Sequence, residues 1–195
     1  VSRGLGQGEL LQAAPARKLI VPEGHTCWWG VDPSTVRLAL AVIDAECQRT
    51  VTQVAFPPWE GGERLAAIWR RTSKLAFGAA EEFPPGVIAV EQPSGKQENP
   101  NLSYACGVAM GALFTGVLEA RAHIIRTETV TSSQWKAVAC GKGNLHKPRG
   151  RLVAAKDYPV LRWARELGYD GLSWDEADAM GVAEWARRTF ALEVR

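Results

Sequence analysis

Hydrophobic positions fall in short extended blocks early in this chain and in longer, helically spaced blocks later. Residues 27–32 (CWWGVD) form an apolar run rich in strand formers. Residues 36–44 (VRLALAVID) repeat the pattern after the turn residues Asp32, Pro33 and Ser34. The two read as a β-hairpin, and residues 50–56 (TVTQVAF) supply a third strand that Pro57 and Pro58 stop. Residues 61–79 then place Leu65, Ile68, Trp69, Thr72, Leu75 and Ala76 on one helical face. Pro84, Pro85 and Gly86 break the chain before a short buried strand, VIAVEQ, over 87–92. A second helix fits 101–119, and its face of Leu102, Ala105, Ala109, Leu113 and Val117 is small enough for close packing. Residues 122–128 read as a fifth strand, and Thr131 or Ser132 caps a helix running through Cys140. A Gly-rich connector, 141–144, leads to helical pattern from Arg151 to Leu167, with Pro159 marking a kink or break. The last helix spans Trp174 to Leu192.

Three strands, a helix, a strand, a helix, a strand and then helices describe an α/β protein. The expected architecture is a single domain, a five-stranded mixed sheet flanked by helices, over residues 26–192. Residues 1–25, with little periodicity, read as an irregular extension. A length of 195 residues fits one domain with a sizeable core. No run approaches the roughly 18 apolar residues of a membrane span. The opening segment lacks the apolar centre of a signal peptide, so a cytoplasmic address is expected. Cys27, Cys47, Cys106 and Cys140 are scattered without a CxxC pair and read as free thiols. His25, His123 and His146 show no ligand spacing with them, which disfavours zinc.

The formal net charge of +2 is small, but its distribution is uneven. From Thr129 to Lys156 there is no acidic residue, while Lys136, Lys142, Lys147, Arg149, Arg151 and Lys156 fall there. Asp157 to Arg195 then holds eight acids against five arginines. A basic block beside an acidic cluster suits a protein that grips phosphates next to a metal. A solvated helix face accounts for the charges equally well.

Position singles out four carboxylates. Asp32 ends the first strand, Glu91 ends the fourth, and Asp175 and Asp178 open the last helix. Reactive groups in open α/β sheets gather at strand ends. Positions i and i+3 share a helix face, so Asp175 and Asp178 are expected at one site, with Glu176 pointing elsewhere. Converging carboxylates repel unless cations neutralise them, and hard oxygen ligands select Mg²⁺ or Mn²⁺. Two such ions roughly 3.5–4 Å apart support in-line attack on a phosphodiester. Residues 175–178 spell DEAD, yet no G-x-x-x-x-G-K-[ST] phosphate loop exists, which argues against a helicase reading.

In this order the motifs resemble those of RuvC-type Holliday junction resolvases. Gly30-Val31-Asp32-Pro33-Ser34 stands where that family has G-[IV]-D-P-[GS], and Ile88-Ala89-Val90-Glu91-Gln92 matches its apolar strand ending in E-Q. Trp135 to Val138 and Gly141 to Lys147 are comparable to its V-K-x-x-V-x-G-x-G-x-x-x-K region. Asp175 to Ala183 meets its closing D-x-A-D-A-x-A-x-A helix, so the match covers roughly 27–190.

The resemblance implies an RNase H-like sheet, a homodimer, two metal ions per site and paired nicks in a four-way DNA junction. It makes Asp32, Glu91, Asp175 and Asp178 metal ligands, and Lys147 the group that steadies the scissile phosphate. Lys136 is expected on backbone phosphate, with Lys142, Arg149 and Arg151 completing the DNA contacts. The 101–119 helix resembles the family's dimer helix, with core packing as its ordinary alternative. Pro93-Ser94-Gly95 replaces an aromatic residue that the family often carries there, so forks and flaps join four-way junctions as expected substrates. The unmatched N-terminal 25 residues suit a divergent, phage-encoded member acting in a host cytoplasm.

Two other classes compete. A non-catalytic scaffold for branched DNA gains nothing from carboxylates near phosphates. An actin-like phosphotransferase needs a second domain to enclose ATP. The nuclease reading requires Glu91 to face the same side of the sheet as the last helix.

Overall fold

The structure is a computed structural model, and it describes residues 16–34, 36–58, 61–92, 100–122, 124–143 and 158–194. The five-stranded sheet comprises β2 (Cys27–Pro33), β3 (Arg37–Ile43), β4 (Arg49–Ala55), β5 (Pro85–Glu91) and β6 (Arg126–Val130), in the order β4-β3-β2-β5-β6. β2 runs antiparallel to β3, and β3 antiparallel to β4; β2 with β5 and β5 with β6 are parallel. Every residue of β2 and of β5 is buried, as expected of central strands covered on both faces. β4 mixes half-buried and exposed positions because it forms one edge.

Period-two alternation divides the core. Trp29, Val31, Leu38, Leu40 and Ile88 point to one side, where α1 (Gly61–Glu82) and α2 (Pro100–Glu119) cover the sheet. Trp28, Ala39, Ala41, Val87 and Ala89 point to the other. There α3 (Ser132–Cys140), α4 (Pro159–Glu166) and α5 (Trp174–Thr189) close over them. The small face of α2 is spent inside the molecule: Ala105, Ala109, Leu113 and Val117 pack on the sheet. Gly116 lies so close to α1 that a Cβ there would stand 2.3 Å from the Ser73 carbonyl oxygen.

α5 is enclosed rather than amphipathic, with every residue from Ala177 to Glu184 buried. It lies across β2 at Gly30, and its Gly181 admits the Trp135 ring of α3. Ser173 caps it reciprocally: its hydroxyl accepts from the Glu176 amide at 3.3 Å, and Glu176 Oε2 accepts from the Ser173 amide at 2.8 Å. Thr131 caps α3 in the same manner with Gln134.

Three expectations need correcting. The last helix stops at Thr189, and Phe190–Val194 form β7. Part of the segment read as irregular is a strand, β1 (Arg17–Val21), which pairs in parallel with β7 from Arg17↔Phe190 to Val21↔Val194. The reason is non-local: Phe190 is fixed by its carbonyl accepting from Trp28 Nε1 at 2.8 Å and by the Arg126 guanidinium 5.0 Å from its ring centroid. The fifth strand also lies later than its expected 122–128, at Arg126–Val130. Pro159 begins α4 as its first residue, where its missing N–H costs nothing. Among the described residues no helix is long and apolar enough to cross a membrane.

Candidate metal centre

The site follows from strand parity. On β2, Trp28 and Gly30 face α5, so Asp32, two residues further, faces it too. On β5, Val87 and Ala89 face the same side, which carries Glu91 with them. β2 and β5 are adjacent and parallel, so both carboxylates emerge at the same end of the sheet. Asp178 meets them from α5. One carboxylate oxygen from each of Asp32, Glu91 and Asp178 lies within 4.8 Å of the others. All three residues are buried, Asp178 almost completely at 1% exposure.

Asp175 is not among the three. Its Oδ2 pairs with Arg37 Nε at 3.2 Å, from the first turn of α5 toward the start of β3. The i, i+3 spacing does bring it to the same end of the helix as Asp178, where it pairs with Arg37. Glu176 is held by its cap, pointing elsewhere as expected.

Tyr158 is a member of the site that sequence reasoning missed. It is fully buried, and its hydroxyl donates to Asp178 Oδ1 at 2.6 Å. Burial, then the charge and hydrogen bond of Asp178 and the charges of Glu91 and Asp32, push the phenol far above its ordinary range. The group therefore stays protonated and acts as a donor. A tyrosine beside a proline reads as a chain break; the available signal was that a buried tyrosine needs a partner for its hydroxyl.

Lys136, expected on the phosphate backbone, is buried at 5% exposure in the wall beside the site. Its Nζ stands over the Trp135 ring at 5.0 Å and the Tyr158 ring at 5.7 Å. Cys140 sits close enough to respond to both charges. Burial and then Asp178 push its thiol up to about 12, while Lys136 and Arg188 oppose the shift. Lys142 is exposed just beyond α3. Lys147, Arg149 and Arg151 lie outside the described residues.

The donor set fits a hard divalent cation. Three buried carboxylate oxygens this close repel strongly without positive charge between them. Their spread is about what one ion with oxygen distances of roughly 2.0–2.2 Å can span after small rotations. Nothing in the cluster offers the sulfur or imidazole that softer metals prefer.

The sequence matches no protein-family model and no curated protein. Solved structures do resemble it. The RuvC structure of Thermus thermophilus is 24% identical with a TM-score of 0.57, over 82% of this chain and 92% of that one. RuvC of the same organism in complex with Holliday junction substrate is 22% identical with a TM-score of 0.60, over 84% and 94%. Sheet order, strand-end carboxylates and this likeness over most of both chains lead to one conclusion: the protein has the RuvC-type, RNase H-like fold.

Proposed function

We propose that the chain is a metal-dependent endonuclease that resolves four-way DNA junctions by paired nicks. The observation that carries the reading is the meeting of Asp32, Glu91 and Asp178 within 4.8 Å at one end of a RuvC-type sheet. Mg²⁺ or Mn²⁺, two ions per site, supply activation of the attacking water and stabilisation of the leaving oxygen. Asp32, Glu91 and Asp178 hold them, and Asp175 joins for the second ion by exchanging Arg37 for metal. Lys147 steadies the scissile phosphate. Lys142, Arg149 and Arg151 grip the backbone, and Lys136 adds positive charge from the buried wall.

The partner is branched DNA, by analogy with the junction substrate bound to the Thermus protein. The chain acts as a homodimer. In support, α2 has no charged residue before Glu119, yet Tyr104 and Leu118 are 67% and 59% exposed on it, with Trp69 of α1 exposed nearby. A second reading, broader cutting of forks and flaps, is favoured by Pro93-Ser94-Gly95 in place of a junction-centre aromatic.

Cleavage of labelled four-way, three-way and flap substrates in Mg²⁺ and in Mn²⁺ tests both readings. Symmetric nicks in the four-way junction alone support the first, and equal cutting of flaps supports the second. Tight junction binding without cleavage in either metal would leave a DNA-binding scaffold instead.

A further inference from the structure

The bond from Tyr158 to Asp178 links two fully buried side chains across 2.6 Å. The phenol ring is held from three sides. Pro159 follows it with a fixed φ, the Trp174 ring stands 5.8 Å away at 52°, and the Lys136 ammonium lies over its face at 5.7 Å. Hydrogen bonds to an ionised carboxylate are short, directional and about twice as strong as neutral ones. The bond occupies one lone pair of Oδ1 and fixes the plane of the carboxylate, which opposes the rotation that would turn both oxygens onto one ion.

We propose, resting on the metal-centre reading above, that Tyr158 is a positioning residue that holds Asp178 as a one-oxygen ligand. It thereby tilts the site toward Mg²⁺ and Mn²⁺ and against Ca²⁺. Ca²⁺ takes 6–8 oxygens at about 2.3–2.6 Å and readily uses both oxygens of a carboxylate, whereas Mg²⁺ demands near-ideal octahedral geometry at about 2.0–2.1 Å. With the carboxylate plane fixed by that bond, the centre is poorly set to turn the second Asp178 oxygen toward the larger ion. Lys136 supports this indirectly, through cation–π attraction to the ring.

The test is calorimetric titration of the full chain and of Tyr158→Phe with Mn²⁺ and with Ca²⁺, without DNA. The variant keeps the ring and removes only the donor. Mn²⁺ affinity should fall about 10-fold, within the roughly 10–100-fold cost of losing an outer partner of a metal ligand. Ca²⁺ affinity should fall less or rise, changing the preference between the ions by about fivefold or more. An equal loss for both ions, or no loss, overturns the proposal while leaving the metal centre intact. If the wild-type chain binds neither ion, both readings fall together. Should Tyr158→Phe not fold, the wild-type chain still decides. The Tyr158 hydroxyl proton, buried and held on Asp178, should be visible by NMR and remain so when Mg²⁺ saturates the site, and its disappearance on loading overturns the proposal.

Discussion

Gly30 and Ala183 touch backbone to backbone: a Cβ added at Gly30 would stand 2.2 Å from the Ala183 amide nitrogen and 2.2 Å from the Ala179 carbonyl oxygen. Gly30 is two residues before Asp32, and Ala179 directly follows Asp178. The contact that seats α5 on the sheet is therefore the contact that brings two of the three carboxylates together. Backbone atoms cannot yield as a flexible side chain does. Gly30→Ala should cost at least about 3 kcal/mol, the upper part of the overpacking range. For a domain of this size that is roughly a 10 °C fall in Tm by scanning calorimetry. A fall under about 2 °C would mean α5 is less firmly seated than described.

Removing a ligand should cost more than removing a ligand's neighbour. Asp32→Asn, Glu91→Gln and Asp178→Asn each keep the shape of the side chain. Each should lower both Mn²⁺ affinity and Mn²⁺-dependent cleavage more than about 100-fold, beyond the usual toll for outer partners. Titration calorimetry and a nicking assay on a four-way junction check the two effects separately. Cleavage at the wild-type rate in any of the three would remove that residue from the centre.

Asp175 calls for a different pattern, because Arg37 competes for it at 3.2 Å. Asp175→Asn should weaken Mn²⁺ binding on the order of 10-fold, clearly less than Asp178→Asn. Arg37→Met, which removes that ion pair, should leave Mn²⁺ affinity unchanged or raise it. A loss of Mn²⁺ affinity in Arg37→Met would mean that the ion pair supports the site and does not compete with it.

A second ionic cluster sets acid stability. Glu184, 1% exposed, accepts from Arg188 Nε at 2.6 Å and from Arg187 through two bonds, at 2.7 and 2.9 Å, with Arg49 at 3.5 Å. Burial alone raises its carboxyl, but the hydrogen bonds from Arg187 and Arg188 outweigh it and hold the group below its ordinary value. A carboxyl depressed on folding contributes stability above its unfolded value, near pH ~4.3, and loses it as pH falls through the lower folded value. Glu184→Gln should therefore be less stable near neutrality by about 2 kcal/mol, less than a fully buried pair would lose because Arg188 is half exposed. It should also show a shallower loss of stability between pH 5 and 3 than the wild type. Urea unfolding at several pH values checks both.

The carboxylates were legible in the sequence where strand parity decides direction. Asp32 and Glu91 end strands whose inward and outward positions can be counted from Trp28 and Val87. Asp178 sits in a run of alanines and glycine that can only be helix against something close. What escaped depended on partners far away in the chain. Phe190 reads equally as helix end or strand start until β1, more than 160 residues earlier, is seen beside it. Arg37 reads as a strand's first residue, with nothing to show that it reaches Asp175. Tyr158 announces no partner until α4 folds against α5. Lys136 reads as one charge in a basic block, and only its packing between two rings shows that it faces inward.

An enclosed α5 has a consequence for how the centre takes up its ions. Eight consecutive residues, Ala177 to Glu184, have no room to slide or roll, with the sheet beneath them and Trp135 wedged at Gly181. Adaptation to a cation must come from torsions about side-chain bonds at the rim, Asp175 foremost, and not from travel of the helix. Slow amide exchange along α5 should therefore be the same with and without Mg²⁺, a rigid keel under a site that trims itself at its outer carboxylate.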